Sequence, residues 1–315
     1  MFEVKSIKFD NLDALQLFNA NTGEQVSVLP QFGANIFEMK LKQRNKLYSI
    51  IKGFENAEKL KINYGFYNAH LFPFAGRLPD GKYAFGGQDY QFEINDAEFH
   101  AALHGFLYNQ PMRLIEKIAD ENHAEVTFSF VSEKVNAAYP FNIEVIIRYQ
   151  LNEKGFTSMT TFKNHGETEA PLAYGVHPYF RFDKKVDELH IKIPTETETI
   201  LNKRLVPSGE TKINSAFLDA TKIGHRGFDN GFQFPKISST VTTELSDPEE
   251  NCTINIWQET GKNKFNFLQV YTPPQRDCIA IEPLCGNINS LNTDDDRVVL
   301  KPGEKTELSW GVRLI

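Results

Sequence analysis

The sequence predicts an all-β protein, a large antiparallel β-sandwich with few short helices. Many segments alternate apolar and polar side chains with a period of two, and no long segment keeps the 3.6-residue period of a helix. The 315 residues include 26 phenylalanines and 11 tyrosines, and aromatic side chains favour strands. Because helical crossovers are missing, antiparallel pairing is expected. Many short strands with turns between them are typical of a sandwich or barrel.

The predicted strands follow one another along the whole chain. The clearest is 141–151, where every second residue is apolar and the residues between are mostly polar. Similar alternation or strand-like composition marks the segments 37–42, 125–130, 189–193, 252–257, 265–271 and 308–314. Two stretches, 56–62 and 135–138, are candidates for short helices. We find no linker, repeat or low-complexity tract, so we expect a single domain over residues 1–315.

Charge and composition narrow the partners. The net charge is −7 and no Lys/Arg cluster is present, so no nucleic acid partner is expected. The first residues have no apolar core of signal-peptide length and no run approaches a membrane span, so we expect a cytoplasmic protein with no membrane partner. The three cysteines, an odd number without a C-x-x-C pair, are expected to be buried thiols.

Several kinds of chemistry find no support in the sequence. There is no G-x-G-x-x-G or Walker motif, so no nucleotide cofactor is expected. The H-E-x-x-H and G-x-S-x-G motifs are also missing. The histidine spacings do not suggest a local metal site, although ligands from distant strands remain possible. We therefore expect neither a cofactor nor a metal.

Three residues are candidates for proton transfer. His104 and His177 lie in the small apolar-aromatic motifs LHGF and GVHPYF, where a lone histidine is more often structural than catalytic. Glu282 interrupts the apolar run AIEPL, so it either faces water on an edge strand or is a buried carboxyl with a raised pKa, suited to act as a base. His177 and Glu282 each precede a proline, which restricts the backbone that holds them.

Two further residues are candidates for ligand binding. Arg77 follows Phe-Ala-Gly and precedes a turn, so its guanidinium either binds paired hydroxyls or a phosphate, or pairs with Asp80 at the surface. Asp229, in the sequence GFDNGF, is either a ligand-binding carboxylate or the first residue of an Asx turn.

Taken in order, these motifs resemble the aldose 1-epimerase (galactose mutarotase-like) family. The matching pieces are Gly33-Ala34, residues 73–77 with 80–83, residues 103–105, 139–141, 175–180 and 281–283, and residues 289–293. One departure is that Gly76 precedes Arg77, where the best-known mutarotases have an Asn-Arg pair. In this respect the chain looks more like the broader bacterial relatives.

The resemblance implies both a fold and a reaction. The fold is the galactose mutarotase-like supersandwich with a sugar cleft on a concave sheet. Glu282 matches the family's general base and His177 its general acid, while Arg77, His104 and, less closely, Asp229 match residues that bind the sugar. The implied reaction interconverts the α and β anomers of a hexose by opening and closing its ring.

The sequence leaves other functions open. A hexose-6-phosphate 1-epimerase would use the same base and acid, and it predicts that Arg181 or Arg226 reaches the cleft. A non-catalytic carbohydrate-binding protein would bind sugar without turnover. A glycoside hydrolase would use Glu282 and Asp229 across a glycosidic bond. In each case the expected partner is a small sugar or sugar phosphate.

Overall fold

A computed structural model describes residues 1–293 and 297–315 of the chain. In this part the helices are short: one α-helix, α1 (Ala57–Ile62), and the 3-10 turns Leu107–Asn109 and Val186–Glu188. The strands are β1 (Phe2–Phe9), β2 (Leu12–Asn19), β3 (Gln25–Leu29), β4 (Asn35–Gln43), β5 (Lys46–Ser49), β6 (His70–Leu71), β7 (Arg77–Pro79), β8 (Lys82–Phe85), β9 (Gln88–Gln91), β10 (Ala101–Leu103), β11 (Arg113–Ala119), β12 (His123–Val131), β13 (Ile143–Asn152), β14 (Gly155–Asn164), β15 (Ala170–Leu172), β16 (Gly175–Val176), β17 (Tyr179–Phe180), β18 (His190–Lys192), β19 (Thr197–Leu201), β20 (Pro207–Ile213), β21 (Thr221–Lys222), β22 (Asp229–Gln233), β23 (Ser239–Asp247), β24 (Cys252–Thr260), β25 (Phe267–Tyr271), β26 (Ile279–Leu284), β27 (Val298–Leu300) and β28 (Lys305–Leu314).

Three sheets of five or more strands organise the described chain. A five-stranded sheet has the order β1-β2-β3-β4-β5, and a nine-stranded sheet has the order β11-β12-β13-β14-β28-β24-β23-β18-β21. An eight-stranded sheet has the order β20-β19-β22-β25-β26-β16-β6, with β17 also pairing β26. Two-stranded ribbons β7-β10, β8-β9 and β15-β27 complete the fold. These strands pair antiparallel, and the prediction of an antiparallel all-β sandwich is confirmed.

The predicted alternation is seen most clearly in β13 and modified in β12. In β13 each odd-numbered residue from Ile143 to Leu151 is buried, and the residues between are half-buried. In β12 the polar face is buried as well, because long side chains of β13 cover it. Glu125 accepts a hydrogen bond from Gln150 Nε2 at 3.1 Å. A polar face in a central strand is therefore covered by polar neighbours rather than by water.

Aromatic side chains fill the core between the sheets. The large side chains with almost no exposure are mostly aromatic, and they include Tyr139, Tyr149, Tyr174, Phe72, Phe128, Phe156, Phe162, Phe180, Phe232 and Phe265. The buried tyrosine hydroxyls have acceptors, as Tyr139 donating to Pro171 O at 2.7 Å shows. One apolar cluster joins residues of all three large sheets, and from this we propose that residues 1–315 form one domain.

One of the two predicted helices forms. Helix α1 begins after Asn56, whose Oδ1 accepts a hydrogen bond from Lys59 N at 2.9 Å as a helix cap. The segment 135–138 is not helical, and that prediction was wrong. Asn136 Oδ1 accepts instead from Ala138 N at 2.9 Å, and this local side-chain bond stabilises a turn in place of a helix. No helix in the described residues is long and apolar enough to cross a membrane.

Gly175 lets strand β16 pass close to β26. A Cβ at residue 175 would lie 2.4 Å from Leu284 Cδ2 and 2.9 Å from the Cβ of Ala75. We expect Gly175→Ala to lower the free energy of unfolding by about 1–3 kcal/mol, because an extra methyl group must displace packed neighbours. Gly227→Ala is the matched control, since a Cβ there meets nothing within 4 Å. Urea unfolding of both variants checks this, and equal stability of the two would contradict it.

Candidate active site

The five residues predicted from the sequence line a single pocket. His177, Glu282, Arg77, His104 and Asp229 all face a cavity of about 230 Å³ at the eight-stranded sheet. Pockets for drug-sized ligands are larger, about 300–1,000 Å³. The cavity is therefore suited to a ligand of about one small ring.

Glu282 lies in the middle of the sheet and not on an edge. Its strand β26 pairs with β25 on one side and with β16 and β17 on the other. The residue is 3% exposed. The alternative of an edge-strand carboxylate facing water is therefore wrong, and the carboxyl can reach only the pocket.

Two prolines open a gap in the sheet where Glu282 meets His177. Strand β26 pairs with β17 at Ala280 and with β16 at Leu284, and between these points Ile281 N donates to Pro178 O at 3.2 Å. The backbone N–H positions of residues 281 and 283 face the same edge of β26. The missing N–H of Pro283 therefore falls in this interrupted stretch. The chain therefore leaves the ladder here without leaving a donor unpaired.

His177, in the link between β16 and β17, is held beside the carboxyl of Glu282. Its N–H donates to Ala69 O at 3.0 Å, and its carbonyl accepts from Asn68 N at 2.9 Å. The ring stacks on Tyr179, with centroids 4.9 Å apart and an interplanar angle of 15°. His177 Nε2 lies 3.5 Å from Glu282 Oε1. An imidazole from the link between β16 and β17 and a carboxyl from β26 thus face the same small volume.

Burial acts on the two groups in opposite directions. It lowers the pKa of His177 to about 3 and raises the pKa of Glu282 well above its ordinary value, with the nearby Asp229 adding to the second effect. Both shifts disfavour charge. The two shifts therefore favour the form of the pair in which a neutral carboxylic acid lies beside a neutral imidazole.

The ribbon β7-β10 brings His104 and Arg77 to the pocket together, since Leu103 is the cross-strand partner of Arg77. Gly76 N donates to His104 Nδ1 at 3.1 Å, so the neutral ring has its proton on Nε2. Burial lowers the pKa of His104 well below the ordinary value, which keeps this form at neutral pH. Gly76 itself has φ of 69°, and a Cβ there would lie 2.5 Å from Ile288 Cγ1, so the departure from Asn-Arg is a steric requirement of this pocket.

Arg77 pairs with a residue that the sequence did not indicate. Its Nε donates to Asp96 Oδ2 at 2.8 Å, and its guanidinium lies 4.5 Å from the centroid of the Phe99 ring. The suggested surface pair with Asp80 is not formed. Asp80 instead accepts hydrogen bonds from Arg204 Nη2 at 3.0 Å and from the His100 ring.

Asp229 lies on β22, which is separated by β25 from β26, the strand of Glu282. Tyr271 is directly opposite Asp229, and Gln269 is directly opposite Glu282. Gln269 Nε2 donates to Asp229 Oδ1 at 2.7 Å, and burial raises the pKa of that carboxyl. The sequence analysis missed Gln269 and Tyr271, and it also missed Tyr64 and Phe66 at the pocket. Only the register of β25 against β22 and β26 identifies the first two.

Arg181 and Arg226 do not line this pocket. Arg181 pairs with Asp183 on another part of the surface, and Arg226 donates to Lys222 O at 2.7 Å. The arginines proposed to reach a phosphate therefore lie elsewhere.

Among residues 1–293 and 297–315, no group of three or more His, Cys, Asp or Glu side chains is placed to hold a metal ion. All three cysteines are buried, and none is in a disulfide.

Comparison with known proteins identifies the family of the chain. The model of the aldose 1-epimerase family matches residues 15–312. The chain belongs to the aldose 1-epimerase family. This family is a class of isomerases that act on sugars.

Relatives show how widely the fold is shared. The uncharacterized protein YihR of Escherichia coli K12 is 26% identical over 251 residues, which is 77% of each chain. A galactose mutarotase-like protein of Clostridium acetobutylicum superposes with a TM-score of 0.89 at 21% identity, covering 100% of this chain and 98% of that one. A galactose 1-epimerase of Lactobacillus acidophilus gives 0.79 at 16% identity, with 100% and 98% covered. These two structures establish the galactose mutarotase-like fold for this member of the aldose 1-epimerase family.

The buried carboxyl should make stability depend on pH. Because the folded-state pKa of Glu282 is raised, the folded protein keeps a proton that the unfolded chain loses above its ordinary pKa of 4.5, and stability falls as pH rises from there. Glu282→Gln removes this penalty. Its melting temperature should equal that of the wild type near pH 4 and exceed it increasingly as pH rises above 4.5, since each pH unit up to the folded-state pKa of Glu282 adds at most about 1.4 kcal/mol to the difference in stability.

The exposed Glu210 supplies the matched control for this measurement. Glu210→Gln should leave the melting temperature unchanged at each pH. A constant difference between Glu282→Gln and the wild type over the whole range would show that the carboxyl ionises normally.

Proposed function

We propose that the protein is an aldose 1-epimerase that interconverts the α and β anomers of an unphosphorylated aldose. The observation that supports this most is the approach of His177 Nε2 to Glu282 Oε1 at 3.5 Å in a pocket of about 230 Å³. Mutarotation needs one proton removed from the hydroxyl on C1 and one delivered to the ring oxygen. A base on β26 and an acid in the link between β16 and β17 meet that need.

In the proposed mechanism, the two proton transfers are balanced. The Glu282 carboxylate takes the proton of the C1 hydroxyl while the C1–O5 bond breaks, and protonated His177 gives its proton to O5. The open-chain aldehyde rotates about C1–C2. Ring closure on the other face returns the protons, from Glu282 to O1 and from O5 to His177. General acid–base catalysis of this kind contributes about 10²–10⁴-fold.

Burial of the pair favours the ring-opening half of the cycle. Before ring opening the pair is charged, with an imidazolium and a carboxylate, and after it both groups are neutral. The lowered pKa of His177 and the raised pKa of Glu282 both drive the pair toward that neutral form. Substrate hydroxyls that donate hydrogen bonds to the Glu282 carboxylate would stabilise the charged form of the pair, in which the same single proton lies on His177.

The remaining polar groups are placed to hold a sugar by its hydroxyls. The Nη atoms of Arg77 make no hydrogen bond to the described residues, and the proton on His104 Nε2 is directed to donate. Gln269 is 5% exposed, and its Oε1 has no partner in the same part of the chain. Donors and an acceptor are therefore both available for vicinal hydroxyls.

An unphosphorylated substrate is favoured over a sugar phosphate. Arg77 is the one Lys or Arg side chain lining the pocket among the described residues, and it is paired. Arg181 and Arg226, one of which the sugar-phosphate alternative places in the cleft, both lie elsewhere.

A glycoside hydrolase using Glu282 and Asp229 would release the aglycone of a nitrophenyl glycoside. This assay therefore separates glycoside hydrolysis from mutarotation.

The mechanism predicts large rate losses at the pair. Glu282→Gln and His177→Asn should each lower kcat for mutarotation by about 10²–10⁴-fold, because each removes one proton transfer. Polarimetry over a panel of free aldoses measures the rates. His225→Asn, which changes a fully exposed ring, is the control and should retain wild-type kcat. Wild-type rates in either pair variant would refute the assigned roles.

The pKa shifts predict an unusually wide plateau of activity. The pair is active when it holds one proton. With the pKa of His177 at about 3, the acid limb lies below the ordinary histidine value of 6.5, and the raised pKa of Glu282 moves the alkaline limb above the ordinary value of 4.5. We expect the acid limb of kcat/KM to lie well below pH 6.5, measured by polarimetry with buffer catalysis subtracted. An acid limb centred near pH 6.5 would contradict this.

A further inference from the structure

The ion pair between Arg77 and Asp96 sets the charge that a ligand meets in the pocket. The two side chains are only 18% and 12% exposed, and Arg77 Nε lies 2.8 Å from Asp96 Oδ2. A pair so shielded from water interacts more strongly than a surface pair. The Asp96 carboxylate thus opposes the positive charge that Arg77 presents to a ligand.

Asp96 is held in place by its own surroundings. Its backbone forms two hydrogen bonds with Ala101, each of 3.0 Å, and Leu103 N donates to the neighbouring Asn95 Oδ1 at 2.6 Å. Phe99, whose ring covers the guanidinium, is fixed by Arg204 Nε donating to its carbonyl at 3.2 Å. The carboxylate therefore occupies a built position and is not a mobile surface group.

The geometry of the pair divides the guanidinium into two parts. Asp96 occupies Nε, which leaves the terminal Nη atoms as the donors available to a ligand, for example to paired hydroxyls. The carboxyls that line the pocket are Asp229 and Glu282. An anionic group entering here would find these two carboxyls and one cation that is already paired.

We propose that Asp96 is a specificity-determining positioning residue that cancels the charge of Arg77 and so makes the pocket select uncharged sugars against sugar acids and sugar phosphates. The identity of the ligand as a sugar rests on the proposed function. The selection itself is a property of charge, and binding measures it independently of turnover.

The test compares ligands that differ only at C6. Titration calorimetry with D-galactose and D-galacturonate, and with D-glucose and D-glucuronate, gives the ratio of neutral to anionic affinity. The wild type should favour the neutral sugar by at least about tenfold. In Asp96→Asn this ratio should fall about tenfold, and uronate binding should become more sensitive to salt.

Two variants separate the proposed cause from general effects of charge. Asp183→Asn removes the exposed partner of Arg181 and makes the same change in net charge, so it should leave the ratio unchanged. In an Arg77→Gln background, Asp96→Asn should no longer alter the ratio, because its effect acts through the guanidinium.

The outcomes for this proposal and for the proposed function are distinct. Equal binding of uronate and neutral sugar by the wild type overturns the selection without any variant, even if Asp96→Asn fails to fold. An unchanged ratio in folded Asp96→Asn overturns the role of Asp96 while mutarotation persists. Selective binding of neutral sugars without mutarotation overturns the enzymatic function and leaves the selection standing.

Discussion

A carboxyl buried on a central strand, opposite an imidazole, is the constraint around which this pocket is built. Neither Glu282 nor His177 is more than 5% exposed, and burial alone would leave two costly polar groups inside the sheet. They are tolerated because one shared proton makes both neutral, since burial lowers one pKa and raises the other. The same neutrality that permits burial is the state that ring opening produces. Folding and the proposed chemistry therefore favour one arrangement of the proton.

The backbone meets this constraint by interrupting a sheet at one place. Pro178 and Pro283 lie where β26 passes from β17 to β16, so the missing donor of Pro283 coincides with a stretch that has no regular ladder. Gly175 permits the close approach of β16 to β26 just before His177. Each of these residues limits how the site can move. The short link 177–178 that carries His177 is thus held between strands β16 and β17, and Glu282 lies on the strand beside them.

Sequence periodicity predicted the strands well, because a period of two depends only on neighbours along the chain, as in β13. The motifs of the family resemblance also named five residues that converge on the pocket, since each is marked by its own local sequence.

Contacts that depend on cross-strand register could not be predicted from the sequence in the same way. Gln269 and Tyr271 belong to the pocket because β25 pairs in one register with β22 and β26. Asp80 is nearer to Arg77 in the sequence, but Asp96 is its partner, because Asp96 bridges Ala101 of β10 and β10 pairs with β7. The segment 135–138 failed for a local reason, as the Asn136 side chain forms a turn.

The polar groups of the pocket share one feature, which is that each is hydrogen-bonded to or paired with a neighbouring residue. His104 is neutral and hydrogen-bonded to Gly76, Arg77 is paired with Asp96, and Gln269 donates to Asp229. A reaction that moves two protons in opposite directions changes no net charge, so it requires no strong field from the protein, only donors and acceptors at fixed positions. A charged ligand would instead have to lose its water without a free counter-ion to replace it. The compensation that suits the proposed reaction is therefore the same property that would restrict the pocket to uncharged sugars.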